Sequence, residues 1–146
     1  MDEQLAGRSG IPFEIVIEPG KVREFARALG SVDPTHIEGT LPISPPTFLV
    51  TEQFWSEPAN QAIPDGALNW ERLLHGQQEF VFHGPPPRAG ARLTGSSRVD
   101  RVYEKHGKRG GVMTLLDLVT EYRDETGALV AESRSTLLET SAAADG

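Results

Sequence analysis

The chain has 146 residues, of which 38% are hydrophobic and 24% charged, and a net charge of −7. That is the size and mixture of one globular domain with a real core, and the acidic balance argues against nucleic acid or an anionic membrane surface as the main partner. There is no cysteine, which excludes disulfides, thiolate metal sites and cysteine nucleophiles.

Residues 1–10 are polar and read as a loose lead-in. Met1-Asp2-Glu3-Gln4 has no basic region followed by an apolar run, so no signal peptide is expected. No apolar stretch approaches the ~20 residues of a membrane span. A cytoplasmic protein with one domain over 1–146 is expected. Phe13-Glu14-Ile15-Val16-Ile17 reads as a strand that ends at the Pro19-Gly20 turn. From Lys21 to Leu29, the residues Val22, Phe25, Ala26 and Leu29 form one apolar stripe, and Gly30 stops the helix. Residues 31–46 carry four prolines without periodicity and read as a long loop, the kind that is often functional.

Thr47 to Trp55 reads as a second helix, apolar on most sides and therefore buried, with Pro46 at its first turn. Residues 56–72 are irregular. Residues 73–83 form a strand, closed by the turn from Gly84 to Gly90. Three further strands follow near 91–104, 111–123 and 128–139, with a Gly-bearing hairpin turn at 124–127. The run from Val112 to Tyr122 is apolar on both faces and should be the central strand. The tail from Ser141 is small and polar. Four strands in a meander leave one sheet face to cover, and the buried helix is the available filler. The expected fold is α+β: a twisted antiparallel sheet wrapped round one central helix, the hot-dog arrangement.

Specific residues carry a resemblance. Gly20 to Gly30 resembles the first helix of MaoC-like N-terminal dehydratase domains, and Pro45-Pro46-Thr47-Phe48 looks like the start of their central helix. Leu73 to Phe80 looks like their second-strand segment, and Pro87-Arg88-Ala89-Gly90 with Leu93-Thr94 fits their turn into the next strand. Tyr103-Glu104-Lys105 and Glu121-Tyr122-Arg123-Asp124 continue the match, which covers roughly residues 12–140. The family includes R-specific enoyl-CoA hydratases and (3R)-hydroxyacyl-ACP dehydratases. The resemblance implies reversible addition of water to a trans-2-enoyl thioester of CoA or ACP, with no metal and no redox cofactor.

That chemistry needs a base for water, an acid for Cα and a dipole for the thioester oxygen. Catalytic members carry G-D-x-N-P-x-H, with Asp and His as the acid–base pair and backbone N–H groups at the central helix as the dipole. Here the loop reads Gly30-Ser31-Val32-Asp33-Pro34-Thr35-His36. The His is retained as His36, Ser31 stands at the position of the Asp, and Asp33 stands at that of the Asn. Three readings remain open. Asp33 or Glu38 supplies the carboxylate to His36; or Asp33-Pro34 is only a turn with His36 on the surface; or the chain is the acyl-binding half of a heterodimer whose partner carries the intact pair. A thioesterase is a further alternative, for which Glu52 is the only carboxylate on the central helix.

Pro46, Thr47, Phe48, His75 and Gly76 are the candidate substrate contacts. The plainer reading of His75 is a hydrogen bond to a backbone carbonyl at the strand entry. Phe48, Phe54, Trp55 and Trp70 line either an acyl tunnel or the core and a dimer seam. Lys105, Lys108 and Arg109 either meet the phosphates of CoA or a carrier, or are simply solvated. The four histidines, with His83 and His106 read as exposed, lack metal-ligand spacing. An open sheet edge is a liability, so a dimer is expected, either homomeric or with a second MaoC-like subunit, its two sheets joined edge to edge.

Overall fold

Alternation in the sequence sets the strands. In the computed structural model, which describes residues 3–107 and 111–140, strand β1 is Phe13–Val16, β2 Leu73–Phe82, β3 Arg92–His106, β4 Val112–Arg123 and β5 Leu129–Thr140. Helix α1 spans Pro19–Ala28 and the one-turn helix α2 spans Pro34–Ile37, inside the stretch read as loop. Proline opens each helix, at a position where its missing N–H costs nothing. Gly30, at φ +70°, reverses the chain after α1. Leu29 falls outside the buried stripe and is exposed, whereas Val22 and Ala26 are buried.

The five strands form one antiparallel sheet in the order β1-β3-β4-β5-β2. The strand apolar on both faces, β4, is central as expected. The meander is a correction: β3, β4 and β5 follow one another, but β2 pairs with β5 and not with β3. The link from β2 to β3 explains this. Pro85-Pro86-Pro87 cannot make a tight hairpin, and the link is held elsewhere. Ser44 N–H donates to Pro87 O and Ala89 N–H to Pro42 O, each at 2.9 Å.

The central helix is a second correction. Residues Phe48–Phe54 form a 3₁₀ segment instead of an α-helix of some three turns. Its residues disfavour an α-helix: Val50 and Thr51 are β-branched, and the Thr51 hydroxyl donates back to Phe48 O at 2.8 Å. The segment still fills the sheet. Phe48 and Leu49 pack with Ile15, Ile17, Val22, Leu93, Tyr122 and Ala131 in the main core. This is the hot-dog fold, with a tighter helix at its centre. Leu5, Ala62, Val99 and Leu116 form a second, smaller core.

The lead-in is a third departure. Leu5 is buried, and residues 7–10 bond along β3, with Gly10 N–H donating to Ser97 O at 2.9 Å. Lys108, Arg109 and the tail from Ser141 lie outside the described residues. His106 ends β3 and is exposed. Among the described residues no helix is long and apolar enough to cross a membrane.

Gly95 on β3 shows how close the inner face is packed. A Cβ there would stand 2.4–2.8 Å from the Phe13 ring. Gly95→Ala is therefore expected to lower stability by about 1–3 kcal/mol. Urea denaturation checks this, and adding Phe13→Ala should cost less than the sum of the two single changes.

Candidate active-site loop and the Glu52 centre

The loop after α1 is held from three sides. Arg23 of α1 donates through Nε to Ile37 O at 2.9 Å and through Nη2 to Gly39 O. Ile43 N–H donates to Thr35 O at 2.9 Å, and Ile43 forms a bridge with Arg88 of the β2–β3 link. The same Ile43 orients the histidine: His36 Nδ1 lies 2.7 Å from Ile43 O. A carbonyl only accepts, so Nδ1 carries the proton, and Nε2 of the neutral ring has a free lone pair.

His36 is thus no plain surface residue; its side chain is 16% exposed. Asp33 comes near it, with Oδ2 3.8 Å from His36 Nε2, beyond hydrogen-bond distance. The other oxygen of Asp33 caps α2, accepting from Thr35 N–H at 2.9 Å and from the Thr35 hydroxyl at 2.8 Å. The Thr35 hydroxyl, then its amide, hold the Asp33 carboxyl below the usual range, which makes it a weak base. Ser31 Oγ accepts from Asp33 N–H at 3.3 Å. The structure therefore brings Asp33 and His36 together, but with Asp33 engaged as a cap. Glu38 follows α2 as its C-cap.

The expected substrate contacts separate. Pro46 and Thr47 are exposed, whereas Phe48 is fully buried, its ring edge-on to Phe25 at 5.5 Å between centroids. The Phe48 N–H donates to Pro45 O at 2.9 Å, so in this conformation it is not offered to a thioester oxygen. Ser44, next to Ile43, has a buried hydroxyl without a protein partner among the described residues. His75 and Gly76 lie on the sheet edge. His75 Nε2 donates to Gln77 O at 3.0 Å, and Gly76 is the extra residue of a bulge, where a Cβ would meet Leu138 at 2.2 Å. No hydrogen bond or ion pair among the described residues joins them to His36. Trp55 packs partly into the core, whereas Phe54 is 69% and Trp70 77% exposed. His83 pairs with Glu132 at 2.9 Å on the outer sheet face.

A second polar centre escaped the sequence reading except as a lone carboxylate. Glu52 of the central segment turns inward and accepts from the Tyr122 hydroxyl. Burial raises the Glu52 pKa, against the opposing pull of Tyr122 and then of Thr120. Tyr122, fully buried beside it, is raised well above the ordinary phenol value, first by burial and then by the Glu52 charge. Because the folded state keeps a Glu52 proton that the unfolded chain gives up, this group's contribution to stability is complete below the unfolded value of about 4.5 and is lost as pH rises through the folded value. Tyr122→Phe removes a donor, so it is expected to raise the Glu52 pKa further and to cost about 1–3 kcal/mol. Carboxyl NMR titration reads the first effect and denaturant unfolding the second.

Comparison with known proteins agrees with this architecture. Residues 4–133 match the model of the FAS1-like, dehydratase domain region. UPF0336 protein SCO4636 of Streptomyces coelicolor is 32% identical over 151 residues, covering 94% of each chain. The C-terminally truncated HadBC (3R-hydroxyacyl-ACP dehydratase) complex from Mycobacterium tuberculosis superposes with a TM-score of 0.71 at 22% identity, covering 94% of this chain and 98% of that one. The (R)-hydratase from A. caviae involved in PHA biosynthesis gives 0.61 at 16% identity, covering 90% and 94%. By sequence over nearly its whole length, and by fold, the chain belongs to the FAS1-like dehydratase-domain family of MaoC-like hot-dog proteins.

Proposed function

We propose that this chain is the acyl-thioester-binding half of a hydratase/dehydratase, acting on trans-2-enoyl and (3R)-hydroxyacyl thioesters of CoA or ACP together with a second MaoC-like subunit. One observation carries the choice of half over whole: Asp33, the carboxylate that approaches His36, is committed to capping α2 and held in its weakly basic form. A general base needs a pKa near the working pH. Ser31, at the position of the family's Asp, has no charge to offer. The free edge of β2, ten residues long with Leu74 exposed on it and Trp70 just before it, suits pairing with another subunit. The HadBC neighbour is itself a 3R-hydroxyacyl-ACP dehydratase complex.

A second reading, a self-sufficient hydratase using His36 with Asp33, is favoured by their 3.8 Å approach and by the open Nε2. For a thioesterase, Glu52 is half-buried and engaged by the Tyr122 hydroxyl, which disfavours it as base or nucleophile. Calorimetric titration of trans-2-decenoyl-CoA into the purified chain, with the enoyl absorbance followed in parallel, tests the proposal. Micromolar binding without turnover is expected. The absence of binding would sink it, and turnover by the chain alone would favour the second reading.

A further inference from the structure

The inner face of the sheet holds a polar seam between its two hydrophobic clusters. Ser97 of β3, Thr120 of β4 and Ser133 of β5 occupy one cross-strand row, positions where inward-facing strand residues are ordinarily apolar. Thr120 and Ser133 are buried. Two bonds hold the hydroxyls: Ser97 Oγ and Thr120 Oγ1 are 2.9 Å apart, and Gln78 Nε2 donates to Ser133 Oγ at 2.8 Å. Glu52 closes the seam from above, accepting from the Tyr122 hydroxyl.

Beside the seam lies a cavity of about 140 Å³, lined among others by Phe13, Glu52, Gln61, Ile63, Ser97 and Leu118. Its lining mixes apolar residues, among them Phe13, Ile63 and Leu118, with polar ones, among them Glu52, Gln61 and Ser97. Glu52 accepts from the Tyr122 hydroxyl, and both Glu52 and Ser97 line the cavity. A carboxyl oxygen has further capacity to accept, and a hydroxyl can both donate and accept. A plain alkyl chain in that space would strip water from Glu52 and Ser97 and give nothing back. A hydroxyl on the chain would donate to one and accept from the other, and a keto oxygen would accept from Ser97.

We propose that this cavity is a subsite for an oxygen carried along the acyl chain, so that the protein selects hydroxyl- or keto-bearing acyl thioesters over plain hydrocarbon ones. The inference rests on the thioester-binding reading above. It places the oxygen away from the thioester, because Glu52 lies roughly 10 Å along the 3₁₀ segment from Thr47, at about 2 Å per residue.

The test is a calorimetric titration of the purified full chain with enoyl-CoA thioesters of one chain length. One compound is plain; the others carry a single hydroxyl or keto group moved stepwise along the chain. At least one oxygenated compound is expected to bind about tenfold tighter than the plain one, the effect of one satisfied buried hydrogen bond. That ratio should fall to near one in Glu52→Leu and drop in Ser97→Ala. If Glu52→Leu does not fold, Ser97→Ala and Glu52→Gln, which keeps an acceptor oxygen and should keep part of the preference, decide the matter. No preference in the parent chain, or a preference that survives loss of both contacts, overturns the inference while leaving thioester binding intact. Failure of every compound to bind, the plain one included, refutes the thioester reading and this inference with it.

Discussion

Replacing Phe48 by alanine is expected to cost about 3–5 kcal/mol of stability, the range for a large buried aromatic. Phe48 is fully buried and joins three parts of the molecule. Its ring meets Phe25 of α1 edge-on, at 84° between planes. It shares the main core with Ile15 and Leu93 of neighbouring strands and with Tyr122 of the central strand. It also opens the segment that carries Glu52. Deleting the ring leaves a void between helix and sheet that rigid strands cannot collapse to fill. Phe54 ends the same segment but is mostly exposed, so Phe54→Ala in the isolated chain should stay within about 0.5 kcal/mol. Denaturant midpoints of the two variants check the contrast. A loss below about 1 kcal/mol for Phe48→Ala would mean that the 3₁₀ segment is not what the sheet is packed upon.

Restoring a carboxylate at position 31 is expected to raise hydration of trans-2-enoyl-CoA by the chain alone by about 10²–10⁴-fold, the usual worth of a positioned general base. The local structure can accept the change. Ser31 follows α1, with its N–H on Ala26 O at 2.9 Å and its side chain accepting from Asp33 N–H; an aspartate accepts the same bond in an Asx turn. His36 is already oriented through Ile43, with Nε2 open. Asp33 cannot do this work well, because Thr35 holds its carboxyl in the ionised, weakly basic form. The gain should vanish when His36→Ala is added to Ser31→Asp. A Ser31→Asp chain that folds, binds enoyl-CoA and shows no gain would mean that this loop does not face the reacting carbons.

The strands were legible because alternation is a local signal, and so was α1, whose stripe of Val22, Phe25 and Ala26 has helical spacing. The central segment was legible as buried but not as 3₁₀. An all-round apolar run does not report its own pitch, although Val50 and Thr51 were a hint against a regular α-helix. The position of β2 beyond β5 was not legible, because it depends on where a proline-rich link is pinned, and that pin lies with Pro42 and Ser44, some forty residues earlier. The same pin, through Arg88 and Ile43, orients His36; the sequence offered the histidine but not its acceptor. The seam around Glu52 joins residues seventy apart. Its one visible trace was a hydroxyl at the inward phase of three successive strands, at Ser97, Thr120 and Ser133, where valine would be ordinary.

The measurement closest to the central claim is reconstitution. Hydration of a trans-2-enoyl thioester is followed for this chain alone, for a MaoC-like subunit with an intact Asp/His pair alone, and for the two mixed. The account predicts that this chain alone is inactive while binding the thioester. The mixture should form a stable complex faster on long-chain substrate than either subunit, and His36→Ala in this chain should change that rate little. Turnover by this chain alone, abolished by its own His36→Ala, would contradict the account and make the chain a complete enzyme.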